Sequence, residues 1–182
     1  MYLPYEKVES YQNYELNIYD EPLESCGSPM MTYGSWDADL KCSEDDGGVH
    51  QICVQNITET LPNFSKSTGQ TDWSAHRENN NHCVCLGAWS LYNTNNFVEP
   101  NALKCEAIPK KALSNKYVSN FMNGWSKWNG LEISDQVTNG VESMVRICNK
   151  NDLKSKKLIN TYCDFAKEKK ELNKSPYFIQ NC

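Results

Sequence analysis

The residues best placed to do chemistry are cysteines and histidines, and they cluster. Cys26, Cys42, Cys53, Cys83, Cys85 and Cys105 fall within about eighty residues, with His50 and His82 among them. The tightest pieces are His50-Gln51-Ile52-Cys53 and His82-Cys83-Val84-Cys85. Sulfur and imidazole at this density point to covalent staples, metal or redox chemistry, and three readings compete. In the first, favoured because spacing alone is weak evidence for a site, Cys26, Cys42, Cys53, Cys83 and Cys85 are structural thiols or disulfides, since cysteine is among the most buried residue types even when unbridged. In the second, Cys53, Cys83 and Cys85 hold zinc with either His50 or Cys42, because a tetrahedral zinc site accepts thiolate and imidazole. Structural zinc generally uses paired C-x₂₋₄-C knuckles, and the chain has none. In the third, Cys53 or Cys83 is a catalytic thiol activated by His50 or His82.

Strand periodicity constrains these readings. Residues two apart share a face, so Cys83 and Cys85 should point together. His50 and Cys53 are three apart, and a bulge or turn would be needed to bring them together. A bond between Cys83 and Cys85 would be strained, so each should pair more easily elsewhere, for instance with Cys26 or Cys42. Nine is an odd number of cysteines, and Cys182 at the terminus is the candidate left over. Numerous disulfides would conflict with a reducing cytosol, whereas extracellular or virion surroundings would accommodate them.

Other chemistry finds little support. There is no phosphate-binding glycine loop, no G-x-S-x-G elbow and no H-E-x-x-H helix. Asp45-Asp46-Gly47-Gly48 lacks the ligand spacing of a calcium loop and reads as a solvated turn. Asp37, Asp39 and Glu44 read as solvated charge, and His76 as an exposed histidine. Asn56-Ile57-Thr58 and Asn63-Phe64-Ser65 match the glycosylation triplet, which goes unused in the absence of export.

The elements that must position these residues follow from composition and period. At 182 residues, 39% hydrophobic, the chain can bury a sizeable core. Residues 1–16 read as an extended arm and residues 17–113 as a cysteine-rich core. Within the core, Val49–Ile57 favours a strand and Thr58–Phe64 a short helix. His82–Gly87 reads as a buried strand, Ala88–Tyr92 as the turn after it, and Leu103, Cys105 and Ala107 as the inner face of another strand. Residues 114–182 form a helical extension. Val137, Val141, Met144, Val145 and Cys148 make one amphipathic stripe, with Ser134 or Asp135 as N-cap. Asp152–Lys170 makes a second helix with Leu158, Tyr162, Phe165 and Ala166 inward, and Trp125 and Trp128 precede the pair. The fold class is therefore α+β: a small mixed or antiparallel sheet with short helices and long turns, plus a C-terminal helical hairpin.

Charge is uneven. Residues 1–113 carry 7 Lys+Arg against 16 Asp+Glu, a net −9, while residues 114–182 carry 11 against 7, a net +4, for −5 overall. The basic residues of the tail alternate with acids and apolar side chains, as on a solvated helix face, so nucleic acid is rejected as a partner. No apolar run approaches the roughly 18 residues of a membrane span, and Met1–Lys7 lacks the regions of a signal peptide. Asparagine occurs 21 times and alanine only 7, a skew that suits an AT-rich genome.

The ordered motifs resemble a family of small, mostly bacterial proteins catalogued only as a domain of unknown function. Pro22-Leu23-Glu24-Ser25-Cys26, then Pro29, Thr32, Gly34 and Cys42, is similar to the family's opening. His50-Gln51-Ile52-Cys53 resembles its H-T-V-C element, Phe64-Ser65-Lys66-Ser67 its F-S-K-S element, and His82-Cys83-Val84-Cys85-Leu86 with Trp89 its W-C-L-C-A…W element. Gly69–Ser74 stands where the family has G-N-D-L-S-T. The resemblance covers about residues 17–113. It implies that Cys26, Cys42, His50, Cys53, Cys83 and Cys85 form a shared core, and it implies no activity. Where the family reads E-A-T-H, this chain reads Glu106-Ala107-Ile108-Pro109, and that histidine is absent.

The expected function is a non-enzymatic structural or interaction protein in a larger assembly, intracellular or in a virion, such as a minor capsid component of a large DNA virus. Its partners would be other protein subunits, and it would need no cofactor. The alternative is a thiol-redox or zinc-binding domain using Cys53, Cys83, Cys85 and His50.

Overall fold

The computed structural model describes residues 15–43, 50–114 and 135–182. Most of the expected arm, the Asp45–Gly48 turn, Trp125, Trp128 and Ser134 lie outside the described residues. The fold is α+β. Strands β1 (His50–Val54) and β2 (His82–Cys85) pair antiparallel, with Cys53 opposite Cys83 and His50 opposite Cys85. The register shifts between His50 and Ile52. The irregularity does not join His50 to Cys53: His50 pairs with Cys85 and Cys53 with Cys83.

Between the strands the chain makes two single-turn helices, α1 (Ile57–Thr60) and α2 (Phe64–Ser67), where one helix over Thr58–Phe64 was expected. Pro62 lacks a backbone donor, and Asn63 at φ 57° turns the chain left-handed before α2. Phe64 is fully buried and meets Tyr92 and Trp73 at ring-centroid distances of 5.5 and 6.0 Å.

Two expectations are corrected after β2. The strand stops at Cys85, and α3 (Leu86–Asn95) follows where a turn over Ala88–Tyr92 was expected. Leu86, Gly87, Ala88, Trp89, Ser90 and Tyr92 are all buried, so the helix has only a narrow polar face and its 3.6-residue period is hidden in the sequence. Its polar residues are satisfied by bonding back to the preceding turn: Ser90 Oγ donates to the Leu86 carbonyl at 2.7 Å, and Asn93 Nδ2 to that of Trp89 at 2.7 Å. The expected strand at Leu103–Ala107 is also absent. Leu103 makes a single bridge to Val54, and Cys105–Ala107 then curls into a 3₁₀ turn.

The tail follows its hydrophobic pattern. Helix α4 (Asp135–Cys148) and helix α5 (Leu153–Ala166) form the expected hairpin. Val137, Val141, Met144, Val145 and Cys148 are fully buried, as are Leu158, Tyr162 and Ala166, with Phe165 nearly so. Asp152 caps α5 by accepting from Ser155 N–H at 2.9 Å. A final short helix, α6 (Pro176–Asn181), returns to α5. One buried cluster runs from Ile18 to Leu172, so residues on either side of position 113 share a core.

Helix α4 lies on α3 at close range. Trp89 Nε1 donates to the Gly140 carbonyl at 2.8 Å, and a Cβ at Gly140 would come within 2.0 Å of Ser90 Oγ and 2.7 Å of Ser90 Cα. Further along, buried Glu142 accepts from Tyr162 Oη–H at 2.9 Å, and Arg146 lies 3.3 Å from its other oxygen. At the helix end, Tyr19 Oη donates to the Cys148 carbonyl at 2.6 Å. This bond satisfies one of the orphan acceptors of the last turn.

Candidate functional site

Eight of the nine cysteines are joined in pairs: Cys26–Cys53, Cys42–Cys83, Cys105–Cys148 and Cys163–Cys182. Cys26, Cys42, Cys53 and Cys83 each take part in a disulfide, and Cys83 pairs with Cys42 rather than with Cys85. Cys182 is corrected as the leftover residue, because it bonds Cys163 from the end of α6. The cysteine outside the disulfides is Cys85, buried at the junction of β2 and α3.

The segment carrying Cys26 and Cys42 has little regular structure and is organised around Trp36. Cβ atoms at Gly34 and Gly27 would lie 2.2 and 2.7 Å from that ring. Cys26 N–H donates to the Leu40 carbonyl at 2.7 Å, and Cys83 N–H to the Gly34 carbonyl at 2.7 Å. Asp37 accepts from the backbone N–H groups of Asp39 and Lys41 at 2.8 and 2.9 Å, so it shapes a turn. The Cys83–Gly34 bond joins this loop to β2, the Cys26–Leu40 bond fixes Cys26 within the loop, and the disulfides to Cys53 and Cys83 tie both cysteines to the sheet. The sulfurs of Cys26, Cys42 and Cys83 lie within 4.8 Å of one another.

The zinc set drawn from the sequence is not brought together. Cys53 and Cys83 are occupied by disulfides. The same bonds remove them as nucleophiles. His50 and Cys85 face each other at the far end of the ladder, two residues beyond Cys83.

Both line a cavity of about 230 Å³ with His82, Arg77, Tyr33 and Trp73. His82 is 7% exposed, and its ring lies 4.3 Å from that of Trp73, tilted by 30°. Its Nε2 is 3.2 Å from Ser35 Oγ, while Nδ1 has no hydrogen-bond partner among the described residues, nor does Arg77 Nε. Burial, reinforced by the Arg77 and His50 charges, pushes the His82 pKa down to about 3. The imidazole is thus neutral at physiological pH, an aromatic wall with hydrogen-bonding capacity and no charge. Sequence reasoning found His50, His82 and Cys85 but missed Ser35, Tyr33 and Arg77. Their only sequence signal is an ordinary loop composition.

The neutrality of His82 has a measurable consequence. The unfolded chain binds a proton at His82 below about pH 6.5, but the folded chain does so only near pH 3. Stability from this group is complete above pH 6.5 and is lost as pH falls toward 3. The slope approaches 1.4 kcal/mol per pH unit within that window. His82→Gln should flatten the fall in urea midpoint between pH 6.5 and 4.5. An unchanged slope would show that His82 is already charged in the folded chain.

No family model matches the chain, and comparison with curated proteins and with solved structures gives no match either. Among the described residues, no helix is long and apolar enough to cross a membrane.

Proposed function

We propose that this chain is a non-enzymatic structural or interaction module, cross-linked for service as one subunit of a larger assembly outside the reducing cytosol. A virus particle is a setting that fits. The observation that carries the reading is the disposition of the cysteines. Eight form disulfides, and one of these, Cys105–Cys148, ties the tail helices to the core. Such cross-linking suits oxidising surroundings and a body whose parts must not move relative to one another. Where the family that the motifs resemble has a histidine, this chain has Pro109, in keeping with a role that does not depend on catalysis.

The test has two arms. Thiol titration of the unfolded, unreduced native protein should find one reactive group, whereas nine would remove the cross-linked subunit. Size-exclusion chromatography with light scattering on native extract should place the chain in a complex several times its own 20.8 kDa mass. A stable monomer there would sink the assembly reading.

Thiol chemistry at Cys85 is the second reading. It is favoured by the placement of Cys85 at the N-terminal end of α3, opposite His50 and beside the cavity. Alkylation of the folded chain decides: rapid modification at Cys85 supports it, and modification only on unfolding ends it.

A further inference from the structure

We propose that Cys26, Cys42, Cys53 and Cys83 become a zinc site when their two disulfides are reduced. The same four residues would then hold the core as cross-links under oxidising conditions and as metal ligands under reducing ones. This assigns a metal site that the assembly reading does not use and does not depend on it. Neither His50 nor Cys85 belongs to the site.

The geometry points to it in three ways. First, the two disulfides lie side by side. Cys26 is bonded to neither Cys42 nor Cys83, yet the three sulfurs are within 4.8 Å of one another. Tetrahedral zinc with Zn–S near 2.3 Å places its sulfurs about 3.7 Å apart, so Cys26 needs to close on Cys42 and Cys83 by about 1 Å at most, while the bonded pairs, at the ordinary S–S length of about 2.0 Å, open by about 1.7 Å once reduced. Second, Cys53 is the register partner of Cys83 across β1 and β2, and its sulfur adjoins that of Cys26, a member of the three-sulfur cluster. Third, all four residues are buried to 1% exposure or less. The backbone of Cys53 and Cys83 is held by the strand ladder, and that of Cys26 and Cys83 by the Cys26–Leu40 and Cys83–Gly34 hydrogen bonds, none of which passes through sulfur. Reduction therefore leaves four buried thiols, three with sulfurs within 4.8 Å of one another and the fourth, Cys53, adjoining Cys26. Drawn onto one ion, they would make a closed thiolate site of the structural zinc kind.

The conversion balances with a dithiol as reductant. Each disulfide accepts two electrons from one dithiol, which itself becomes a disulfide. Zinc then takes the place of the four thiol protons, which leave to solvent, and the zinc–tetrathiolate centre carries a net charge of −2. In reverse, an oxidant of the disulfide class re-forms the two bonds and expels the metal.

The full chain, produced in a reducing cytosol with zinc supplied, should carry one zinc per chain by native mass spectrometry and elemental analysis. The purified chain, reduced with a phosphine and titrated with Co²⁺, should show the d–d absorption of a tetrahedral thiolate site. Cys42→Ser should weaken zinc binding by more than the roughly 100-fold that follows loss of a mere supporting contact. Cys85→Ser should leave it unchanged. Because Cys42→Ser also destabilises the fold, the paired change Cys105→Ser/Cys148→Ser serves as control: it loosens the protein without touching the cluster and should retain the metal. Metal-free protein from both routes would overturn the proposal. So would zinc that survives Cys42→Ser, or zinc that is lost with Cys85→Ser.

Discussion

Gly140→Ala should lower the unfolding free energy by about 2–3 kcal/mol, although alanine is the better helix former. Propensity alone would favour the substitution by up to about 1 kcal/mol. Against it stands the close approach of α3, where the new Cβ would lie 2.0 Å from Ser90 Oγ and 2.7 Å from Ser90 Cα. The hydroxyl can rotate away from its bond to Leu86, but the backbone of Ser90 cannot yield unless the helices separate. Separation strains the Trp89–Gly140 hydrogen bond and loosens Val137, Val141 and Met144 against their neighbours. Overpacking of this kind costs about 1–3 kcal/mol, and more when backbone must shift. A buried hydrogen bond adds about 1 kcal/mol. Adding Ser90→Gly should recover only part of the loss, because the clash with the backbone at position 90 remains. A guanidinium midpoint unchanged by Gly140→Ala would show that α3 and α4 leave room for a methyl group between them.

Cys105→Ser/Cys148→Ser should cost about 4 kcal/mol, the loop-closure entropy for the 43 residues that this disulfide spans. For a chain of this size that is a fall in melting temperature of roughly 10 °C. The bond fastens the C-terminal end of α4 to the turn that follows Leu103, beside the Tyr19 hydrogen bond to Cys148. Cys163–Cys182 spans only 19 residues and anchors a helix with no buried residue. Its removal should cost less in calorimetry under non-reducing conditions. A larger loss from the terminal bond than from Cys105–Cys148 would contradict this ranking.

The parts legible in the sequence are those whose burial is one-sided. Helix α4 announces itself because Val137, Val141, Met144, Val145 and Cys148 recur on one face while the opposite face stays polar. Helix α3 is buried on most sides, so Trp89, Ser90 and Tyr92 carry no period that separates helix from turn. The break between α1 and α2 falls at Pro62 and Asn63, inside the segment expected to form one helix. Of the candidate site, the sequence showed where the cysteines and histidines cluster. Which sulfur each cysteine meets depends on how the loop around Trp36 folds back onto the sheet. No local pattern encodes that meeting. The same holds for Ser35 and Tyr33, which reach the His82 cavity from a loop distant in sequence, while Arg77 comes from the loop just before β2.

The pairing of Cys26 with Cys53 and Cys42 with Cys83 also bears on how the chain is made. The two loops interlock, since Cys42 lies between Cys26 and Cys53 while Cys53 lies between Cys42 and Cys83. On a ribosome, Cys42 emerges before Cys53, and its sulfur ends close to that of Cys26. A nascent chain oxidised in order of appearance would close the wrong ring first. Correct maturation thus calls for oxidation delayed until β2 has been synthesised, or for a catalyst that exchanges the early bond for the native pair.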